Sequence, residues 1–240
     1  MSLPHFGWAQ RGGFEYLHNT EFLSRGIEHG FIGSGSDFSE HGKARYLQAF
    51  KDQFGVSDLL LLNQVHGAQV LEYRQGISDL TGDALIIPFS ELRPGTRTAF
   101  GIRVADCLSA LYIGSQGVAL VHAGWKGLAA GIHLRTYQNL QELQPSSQIS
   151  SALFPCASLA CYEVGEEVIT SFADKPVAQD DKNGKFHLGL RETAQAALSD
   201  FSGSNAYIDV CAECTISDPR FHSYRRDGIS SGRNLLFVVL

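Results

Sequence analysis

Six apolar segments of six to nine residues follow one another between residues 58 and 123, and they constrain the fold more than any other feature of the sequence. Glycine, proline or polar residues bound each segment, a pattern that predicts short buried β-strands. Helical patterns do not alternate regularly with these strands, so the sequence favours an α+β fold over a doubly wound parallel sheet. The segments are DLLLLNQV (58–65), AQVLEY (68–73), GDALIIPF (82–89), TAFGIRVAD (98–106), LSALYIG (108–114) and GVALVHA (117–123).

Helical patterns flank the predicted strands. Apolar residues recur at helical spacing over residues 43–54, and a second helical pattern at 128–143 ends before Pro145. A chain of 240 residues is long enough for one large domain or two small ones. The predicted elements nearer the C-terminus are two helices, 163–174 and 188–201, and a terminal strand at 234–240.

Charge and cysteine content exclude several classes of protein. With 19 Lys and Arg against 25 Asp and Glu, the formal net charge is −6, so no basic excess favours binding to a polymeric nucleic acid. No apolar run approaches the roughly 18 residues that span a bilayer, and the N-terminus lacks the pattern of a signal peptide. Five scattered cysteines do not suit a disulfide scaffold. We therefore expect a cytoplasmic protein without a membrane segment.

Three residues able to bind a metal stand at the ends of predicted strands. His66 lies in the turn after one strand, Cys107 separates two others, and His122 closes the strand of the motif VALVHAGWKG. Two imidazoles and a thiolate suit a zinc ion and leave a fourth position for water. Because the three residues are far apart in sequence, the site forms only if the fold brings them together. The alternative is a buried thiol and two histidines bonded to backbone carbonyls.

The remaining cysteines form a weaker pattern. Cys211 and Cys214 are spaced as C-x-x-C, and Cys156 and Cys161 supply a second pair for a structural four-cysteine zinc site. The spacing of the two pairs is unusual for such a site, so the default interpretation is four buried thiols.

An arginine-rich segment, FHSYRRDGISSGR, spans residues 221–233. Arg225, Arg226 and Arg233 lie there with a single acid, Asp227, among them. Three guanidinium groups in a glycine-containing loop suit a phosphate or another oxyanion. The alternative is ordinary solvated surface charge.

Motifs along most of the chain resemble those of one family. NQVHG, GDALI, ADC, VHAGWKG, CYEVGEEV and FHSYRRDG occur in the order found in the YfiH family, which is also called the multicopper polyphenol oxidase, purine nucleoside phosphorylase or peptidoglycan editing factor family. The resemblance extends from about Leu59 to the C-terminus, and HAGW combined with ADC is highly specific. It implies one domain over residues 1–240, an α+β fold layered α/β/β/α with mixed sheets, similar to the cytotoxic-necrotising-factor catalytic fold.

The resemblance also implies a site and a chemistry. His66, Cys107 and His122 are expected to bind zinc, with copper as the alternative metal, or to act as a cysteine–histidine pair. Family members phosphorolyse adenosine, inosine and methylthioadenosine to free base and sugar 1-phosphate, and they deaminate adenosine. We therefore expect an enzyme that acts on a small nucleoside and phosphate.

Phosphate binding is where the chain departs from the family pattern. Relatives commonly have arginine where this chain has Lys126, and an arginine expected near Ser34 is missing. We nevertheless expect Cys107 and His122 to face the purine, and we assign phosphate to the nearby guanidinium groups. The residues assigned to phosphate are Arg45, Arg225, Arg226 and Arg233.

Three alternatives accompany this hypothesis. A laccase-like oxidase needs several coppers, whereas the nine histidines here contain no His-x-His pair. A cytoplasmic hydrolase that edits peptidoglycan precursors would use Cys107 as nucleophile and His122 as base. A non-enzymatic protein that only retains the fold is the third, and the presence of all three site residues argues against it.

Overall fold

The computed structural model describes residues 5–77, 79–145, 147–172, 177–180, 185–203 and 206–240. The strands within these ranges are β1 (Phe6–Arg11), β2 (Phe14–Asn19), β3 (Glu28–Ile32), β4 (Asp58–Leu61), β5 (Val70–Glu72), β6 (Ala84–Pro88), β7 (Thr98–Val104), β8 (Leu108–Ile113), β9 (Gly117–Ala123), β10 (Ser150–Leu153), β11 (Glu163–Val164), β12 (Val177–Asp180), β13 (Lys185–Leu188), β14 (Tyr207–Val210) and β15 (Asn234–Val239). The α-helices are α1 (Thr20–Ser24), α2 (Lys43–Phe54), α3 (Trp125–Ala129), α4 (Ile132–Glu142), α5 (Glu166–Thr170), α6 (Leu190–Ser202) and α7 (Tyr224–Asp227).

Two six-stranded mixed sheets form the centre of the molecule. The first has the order β1-β2-β3-β15-β7-β4, and the second has the order β14-β10-β8-β9-β6-β5. In each sheet the last pair, β7–β4 and β6–β5, is parallel. A third, three-stranded sheet has the order β11-β13-β12. None of the described helices is long and apolar enough to span a membrane.

Three apolar clusters hold the layers together. The central cluster lies between the two large sheets, with Phe100 and Leu236 from the first sheet and Leu120 from the second. A second cluster packs Phe50 of α2 on the outer face of the first sheet. A third packs Leu128 of α3, with residues of α4 and α6, on the outer face of the second sheet. The resulting order is helix, sheet, sheet, helices, which confirms the expected layered α+β fold with mixed sheets.

Alternation along single strands explains how both sheets bury two faces. In β6, Leu85 and Ile87 enter the central cluster, whereas Ile86 faces the helices on the outside. All five residues of β6 are buried, as expected for a strand that is covered on both sides.

The predicted helix at 128–143 is two helices in the structure. Gly131 adopts φ +77, in the left-handed region that glycine reaches without strain, and separates α3 from α4. The predicted helix 43–54 and strand 117–123 have the observed bounds of α2 and β9. Part of the helix expected over 163–174 lies outside the described residues; α5 covers Glu166–Thr170.

Candidate functional site

Parallel pairing places His66 and Cys107 at one edge of the first sheet. His66 follows β4 and Cys107 follows β7, and these neighbouring parallel strands end on the same side. The Gln64 side chain extends the pairing beyond β4, because its Nε2 donates to the Arg103 carbonyl and its Oε1 accepts from the Arg103 N–H, each at 2.8 Å. His122 reaches the same point from β9 of the second sheet.

The three predicted ligands therefore converge. One ring nitrogen of each histidine and the Cys107 Sγ all lie within 4.8 Å of one another. The two imidazole rings are perpendicular, with centroids 4.9 Å apart. His122 is buried, Cys107 is half-buried and His66 is exposed, so the cluster has a protein side and an open side.

Asp83, a buried residue just before β6, holds both histidines in place. Its Oδ1 lies 2.9 Å from His122 Nδ1 and also accepts the His66 backbone N–H at 2.9 Å. Its Oδ2 accepts the Gly67 N–H at 2.7 Å, and its backbone carbonyl accepts the His122 N–H at 2.8 Å. This carboxylate fixes the Nδ1–H tautomer of His122 and leaves Nε2 available as a ligand. Sequence reasoning did not single out Asp83, although the motif GDALI contains it.

Backbone strain is concentrated at this cluster. Among the described residues other than glycine, only His66 (φ +57) and Asp106 (φ +86) have positive φ. One is a candidate ligand and the other directly precedes Cys107. Such conformations are unfavourable for residues with a Cβ and persist where surrounding bonds enforce them, often at functional sites.

Charge and burial act in opposite directions on the Cys107–His122 pair. Burial disfavours the Cys107 thiolate, but the positive charge of His122 and hydrogen bonds from both histidines outweigh it and lower the pKa of the thiol to about 6. Burial also disfavours a charged His122, yet the Cys107 thiolate and Asp83 raise the pKa of its imidazole to about 9. Cys107 is thus favoured as the thiolate, the form that attacks an electrophile or binds a metal.

Two glycines of the motif HAGWKG allow the chain to pass close to the cluster. A Cβ added to Gly124 would lie 3.2 Å from the Cys107 Sγ. A Cβ added to Gly127 would lie 2.5 Å from the Gly67 carbonyl oxygen, a distance that real Cβ atoms do not adopt. The first turn of α3 is therefore packed directly against the turn that carries His66.

The open side of the cluster faces a cavity of about 860 Å³. Aromatic residues line it together with cationic residues. The aromatic lining residues are Trp125, Tyr162 and Tyr224, and the cationic lining residues other than the histidines are Arg103, Lys126, Arg225 and Arg233.

Three of the four cations are without a salt bridge within the described part of the chain. Arg103 is paired with Glu40. Lys126, Arg225 and Arg233 lie instead over aromatic rings, at 5.5, 5.2 and 5.9 Å from the ring centroids of Trp125, Tyr162 and Tyr224, respectively. Their charges are therefore available to an anion in the cavity.

The structure separates the four arginines assigned to phosphate. Arg225 and Arg233 line the cavity, and Arg233 Nη1 also donates to the backbone carbonyls of Ser231 and Gly232, each at 2.9 Å. Arg226 is outside the lining, because its guanidinium donates to Asp227 and to backbone carbonyls, including Phe221 at 2.8 Å and Thr215 at 3.0 Å. These bonds fasten the loop and correct the assignment of Arg226 to phosphate. Arg45 is also outside the lining and lies 5.4 Å over the Tyr46 ring.

Lys126, which the sequence marks only as a departure from the family pattern, lines the cavity, and so does Trp125 of the motif HAGW. Arg103 and Tyr162 were missed altogether. The signals were present in FGIRVADC and CYEVGEEV, but a charge inside a strand and a tyrosine in a loop do not by themselves indicate a site.

The donor set fits a metal ion that prefers nitrogen and sulfur ligands. Two imidazoles and a thiolate converge, and a carboxylate holds the second nitrogen of one imidazole, the outer-shell arrangement that accompanies metal-binding histidines. Among the described residues, no other group of three or more His, Cys, Asp or Glu side chains has metal-ligand spacing. A four-cysteine site is therefore not formed there: Cys156 and Cys214 pair through their backbones, while Cys161 is half-buried.

The family comparison matches residues 36–240 to the family described as "Multi-copper polyphenol oxidoreductase laccase". A purine nucleoside phosphorylase of Clostridium acetobutylicum is 31% identical over 200 residues, which cover 80% of this chain and 81% of that protein. A purine nucleoside phosphorylase of Aquifex aeolicus is 32% identical over 195 residues, covering 81% and 88%. An adenosine deaminase of an unknown prokaryotic organism is 28% identical over 210 residues, covering 79% and 78%.

Solved structures share the fold. The Bacillus licheniformis protein YfiH superposes with a TM-score of 0.80 at 22% identity, covering 97% of this chain and 98% of that chain. YlmD from Geobacillus stearothermophilus gives the same TM-score and identity, with 98% of each chain covered. The likeness establishes the layered architecture described above.

Proposed function

Since the chain belongs to the multi-copper polyphenol oxidoreductase laccase family, the YfiH family, we propose that it is a purine nucleoside phosphorylase with a second activity as an adenosine deaminase. The substrates proposed are adenosine, inosine and methylthioadenosine, which phosphate converts to the free base and a sugar 1-phosphate. His66, Cys107 and His122 are proposed as the catalytic residues, within one domain over residues 1–240. The relatives named purine nucleoside phosphorylase and adenosine deaminase support this area of metabolism.

One observation carries the proposal: the cavity that the His66–Cys107–His122 cluster lines is also lined by Lys126, Arg225 and Arg233, which have no salt bridge among the described residues. Phosphorolysis brings together an anion and a neutral nucleoside, and it needs both held in a fixed relative position. Arg225 and Arg233 supply guanidinium groups for the anion, and Lys126 adds a third charge. The cavity can thus hold the phosphate and the nucleoside together.

The aromatic lining suits the other substrate. Trp125 and Tyr162 line the cavity together with the cluster, and a purine stacks favourably on aromatic rings. The base then lies against Cys107 and His122, where a proton delivered to its nitrogen stabilises the negative charge of the leaving group. In the metal-free cluster His122 is suited to carry that proton, because the Cys107 thiolate and Asp83 favour its charged form and Asp83 holds its ring in one orientation. With a metal bound, both ring nitrogens of His122 would be engaged, and a water held by the ion would supply the proton instead.

His66, Cys107 and His122 would hold the metal ion, for which we propose zinc with copper as the alternative. A bound zinc ion would supply a water of lowered pKa at neutral pH, which is the nucleophile that deamination requires. Asp83 would orient His122, and the exposed side of the cluster would leave a position open toward the cavity. The relative named adenosine deaminase favours this second activity.

The test is to incubate the purified protein with adenosine, with and without phosphate, and to separate the products by chromatography. We expect adenine only when phosphate is present, and inosine in both conditions. The Cys107→Ala variant should form neither product, whereas Cys161→Ala, a change outside the cavity lining, should retain both. If wild-type protein forms neither adenine nor inosine, the proposed function is wrong.

A matched pair of arginine variants tests the phosphate site. Arg225→Ala should raise the KM for phosphate at least about tenfold, because it removes a charge-assisted hydrogen bond of roughly 1.5–3 kcal/mol. Arg93→Ala removes an exposed guanidinium outside the cavity lining and should leave that KM unchanged. Equal KM values for both variants would place phosphate elsewhere.

A further inference from the structure

Asp106 connects the metal-binding cluster to the segment that carries Arg225. It directly precedes Cys107 in the chain, and only 6% of its surface is exposed. Its Oδ1 accepts a hydrogen bond from Thr215 Oγ1 at 2.7 Å, and its Oδ2 accepts one from the backbone N–H of Arg225 at 2.6 Å. One carboxylate therefore joins the Cys107 turn to two segments that are 109 and 119 positions away in sequence.

The backbone at this position does not by itself favour aspartate. Asp106 has φ +86, a conformation that costs a residue with a Cβ about 1–2 kcal/mol and that glycine adopts freely. The Asp106 carbonyl is fixed as well, since it accepts the Ala157 N–H at 2.9 Å. Glycine would thus satisfy the turn before Cys107, and what aspartate adds is the carboxylate.

The charge of that carboxylate works against an anion in the cavity. Asp106 is among the residues that line the cavity, where its negative charge repels phosphate. Removing the charge alone should therefore strengthen phosphate binding. Both carboxylate oxygens are nevertheless engaged by protein donors, which points to a role in holding the chain rather than in meeting the ligand.

The bond to Arg225 fixes the first turn of α7. This helix has only four residues, Tyr224–Asp227, and its N-cap Ser223 accepts the Arg226 N–H at 3.1 Å. The N–H of Arg225 is the neighbouring donor of that turn, and Asp106 accepts it. Two acceptors from different parts of the chain thus order a helix that is too short to be stable alone.

We propose that Asp106 is a positioning residue that holds Arg225 at a fixed place relative to Cys107, so that a bound phosphate lies within reach of the cluster. The proposal rests on the proposed function only in identifying the anion as phosphate. The negative charge of Asp106 weakens phosphate binding, whereas its two hydrogen bonds strengthen it by holding Arg225. Substitutions at Asp106 separate these two effects.

Two variants separate the effect of the Asp106 charge from the effect of its hydrogen bonds. Each variant is studied as the metal-loaded full-length protein, with inorganic phosphate as the probe. Asp106→Asn removes the charge but keeps an oxygen for the Arg225 N–H and an amide for the Thr215 hydroxyl. We expect it to bind phosphate as tightly as wild type or more tightly in titration calorimetry. Asp106→Gly fits the backbone but loses both bonds, and we expect phosphate binding to weaken at least about tenfold, the effect of a lost charge-assisted hydrogen bond.

Two further readouts accompany the titration. Amide hydrogen exchange over residues 223–228 should accelerate in Asp106→Gly and not in Asp106→Asn, while the metal content and circular dichroism of both stay at the wild-type level. Phosphate binding by Asp106→Gly that equals or exceeds wild type would overturn the proposal, as would equal losses in both variants. Calorimetry needs no turnover, so wild-type protein that binds phosphate without releasing base would refute phosphorolysis and leave the role of Asp106 to be judged by the titration.

Discussion

At the scale of single residues, Asp83 determines the most about the site. One carboxylate accepts hydrogen bonds from the His122 ring and from the backbone N–H groups of His66 and Gly67. It therefore sets the ring orientation of one candidate ligand and the backbone conformation of another. It also offsets the strain of His66, whose positive φ is unfavourable without such a bond.

Replacing Asp83 by asparagine should weaken metal binding. The carboxylate accepts hydrogen bonds from three donors, whereas an asparagine side chain has one oxygen and one amide nitrogen. The amide nitrogen would face one of the donors, so at least one of the three hydrogen bonds is lost. We expect the affinity for zinc to fall about 10- to 100-fold, as for other outer-shell partners of metal-binding histidines. Competition with a chelator measures this directly. Zinc affinity that is unchanged in Asp83→Asn would show that the carboxylate does not support the ligands.

At the scale of secondary-structure elements, the site depends on the close contact between α3 and the turn that follows β4. Gly127 of α3 is buried, and a Cβ at this position would lie 2.5 Å from the carbonyl oxygen of Gly67. That atom belongs to backbone held by Asp83, so it moves only if the His66 turn moves with it.

Gly127→Ala should therefore both destabilise the protein and loosen the site. We expect a loss of about 1–3 kcal/mol in the free energy of unfolding, the usual cost of overpacking, together with lower zinc affinity. Gly35→Ala is the matched control, because its Cβ would contact nothing within 4 Å. Chemical denaturation and chelator competition measure the two effects. A Gly127→Ala protein as stable as the Gly35→Ala control would contradict the packing described here.

The β2–α1–β3 region carries a pH-sensitive contact. His29 is buried, its Nε2 accepts the Asn19 N–H at 2.9 Å, and its Nδ1 lies 2.8 Å from the Ile27 carbonyl. The bond accepted by Nε2 requires the neutral ring, and burial lowers the pKa of His29 to about 4, although the bond from Nδ1 to the Ile27 carbonyl acts in the opposite direction. At pH values between the pKa of His29 in the unfolded chain and its lower pKa in the folded protein, the unfolded chain binds a proton that the folded protein does not. The free energy of unfolding therefore falls as the pH falls through this range.

Because of this contact, we expect the free energy of unfolding to fall by about 2 kcal/mol when the pH is lowered from 7.5 to 5. The His29→Gln variant keeps an acceptor and a donor but does not titrate, so its stability should fall less over the same range. Denaturation of both proteins at the two pH values gives the difference. Parallel curves for wild type and variant would show that His29 does not contribute.

Some of the secondary-structure elements could be predicted from the sequence and others could not. Strand β9 and helix α2 have their predicted bounds because continuous apolar runs and helical spacing mark them clearly. The strands β1, β2 and β3 were not predicted. The burial patterns of β1 and β2 do not alternate regularly, and β3, with which β2 pairs, is placed by pairing with β15 at the other end of the chain.

At the scale of the whole molecule, the site exists because two sheets meet at one edge. His66 and Cys107 come from adjacent parallel strands of the first sheet, and His122 comes from the second. The types of residue were evident in sequence, but their convergence was not, because it depends on long-range strand order. The same limit explains why the assignment of Arg226 to phosphate was wrong. Arg226 is adjacent to Arg225 in sequence, but in the fold its guanidinium donates to backbone carbonyls.

The central claim, that this cavity transfers a nucleoside sugar to phosphate, is tested most directly by ³¹P nuclear magnetic resonance of a reaction with adenosine and inorganic phosphate. The proposed activity predicts a sugar 1-phosphate signal that grows in equal molar amount to the free base released, adenine and hypoxanthine together, and its absence with Cys107→Ala. Adenine released with no new phosphate ester would indicate hydrolysis, and an unchanged spectrum with no adenine would indicate no phosphorolysis. Either result would contradict the claim.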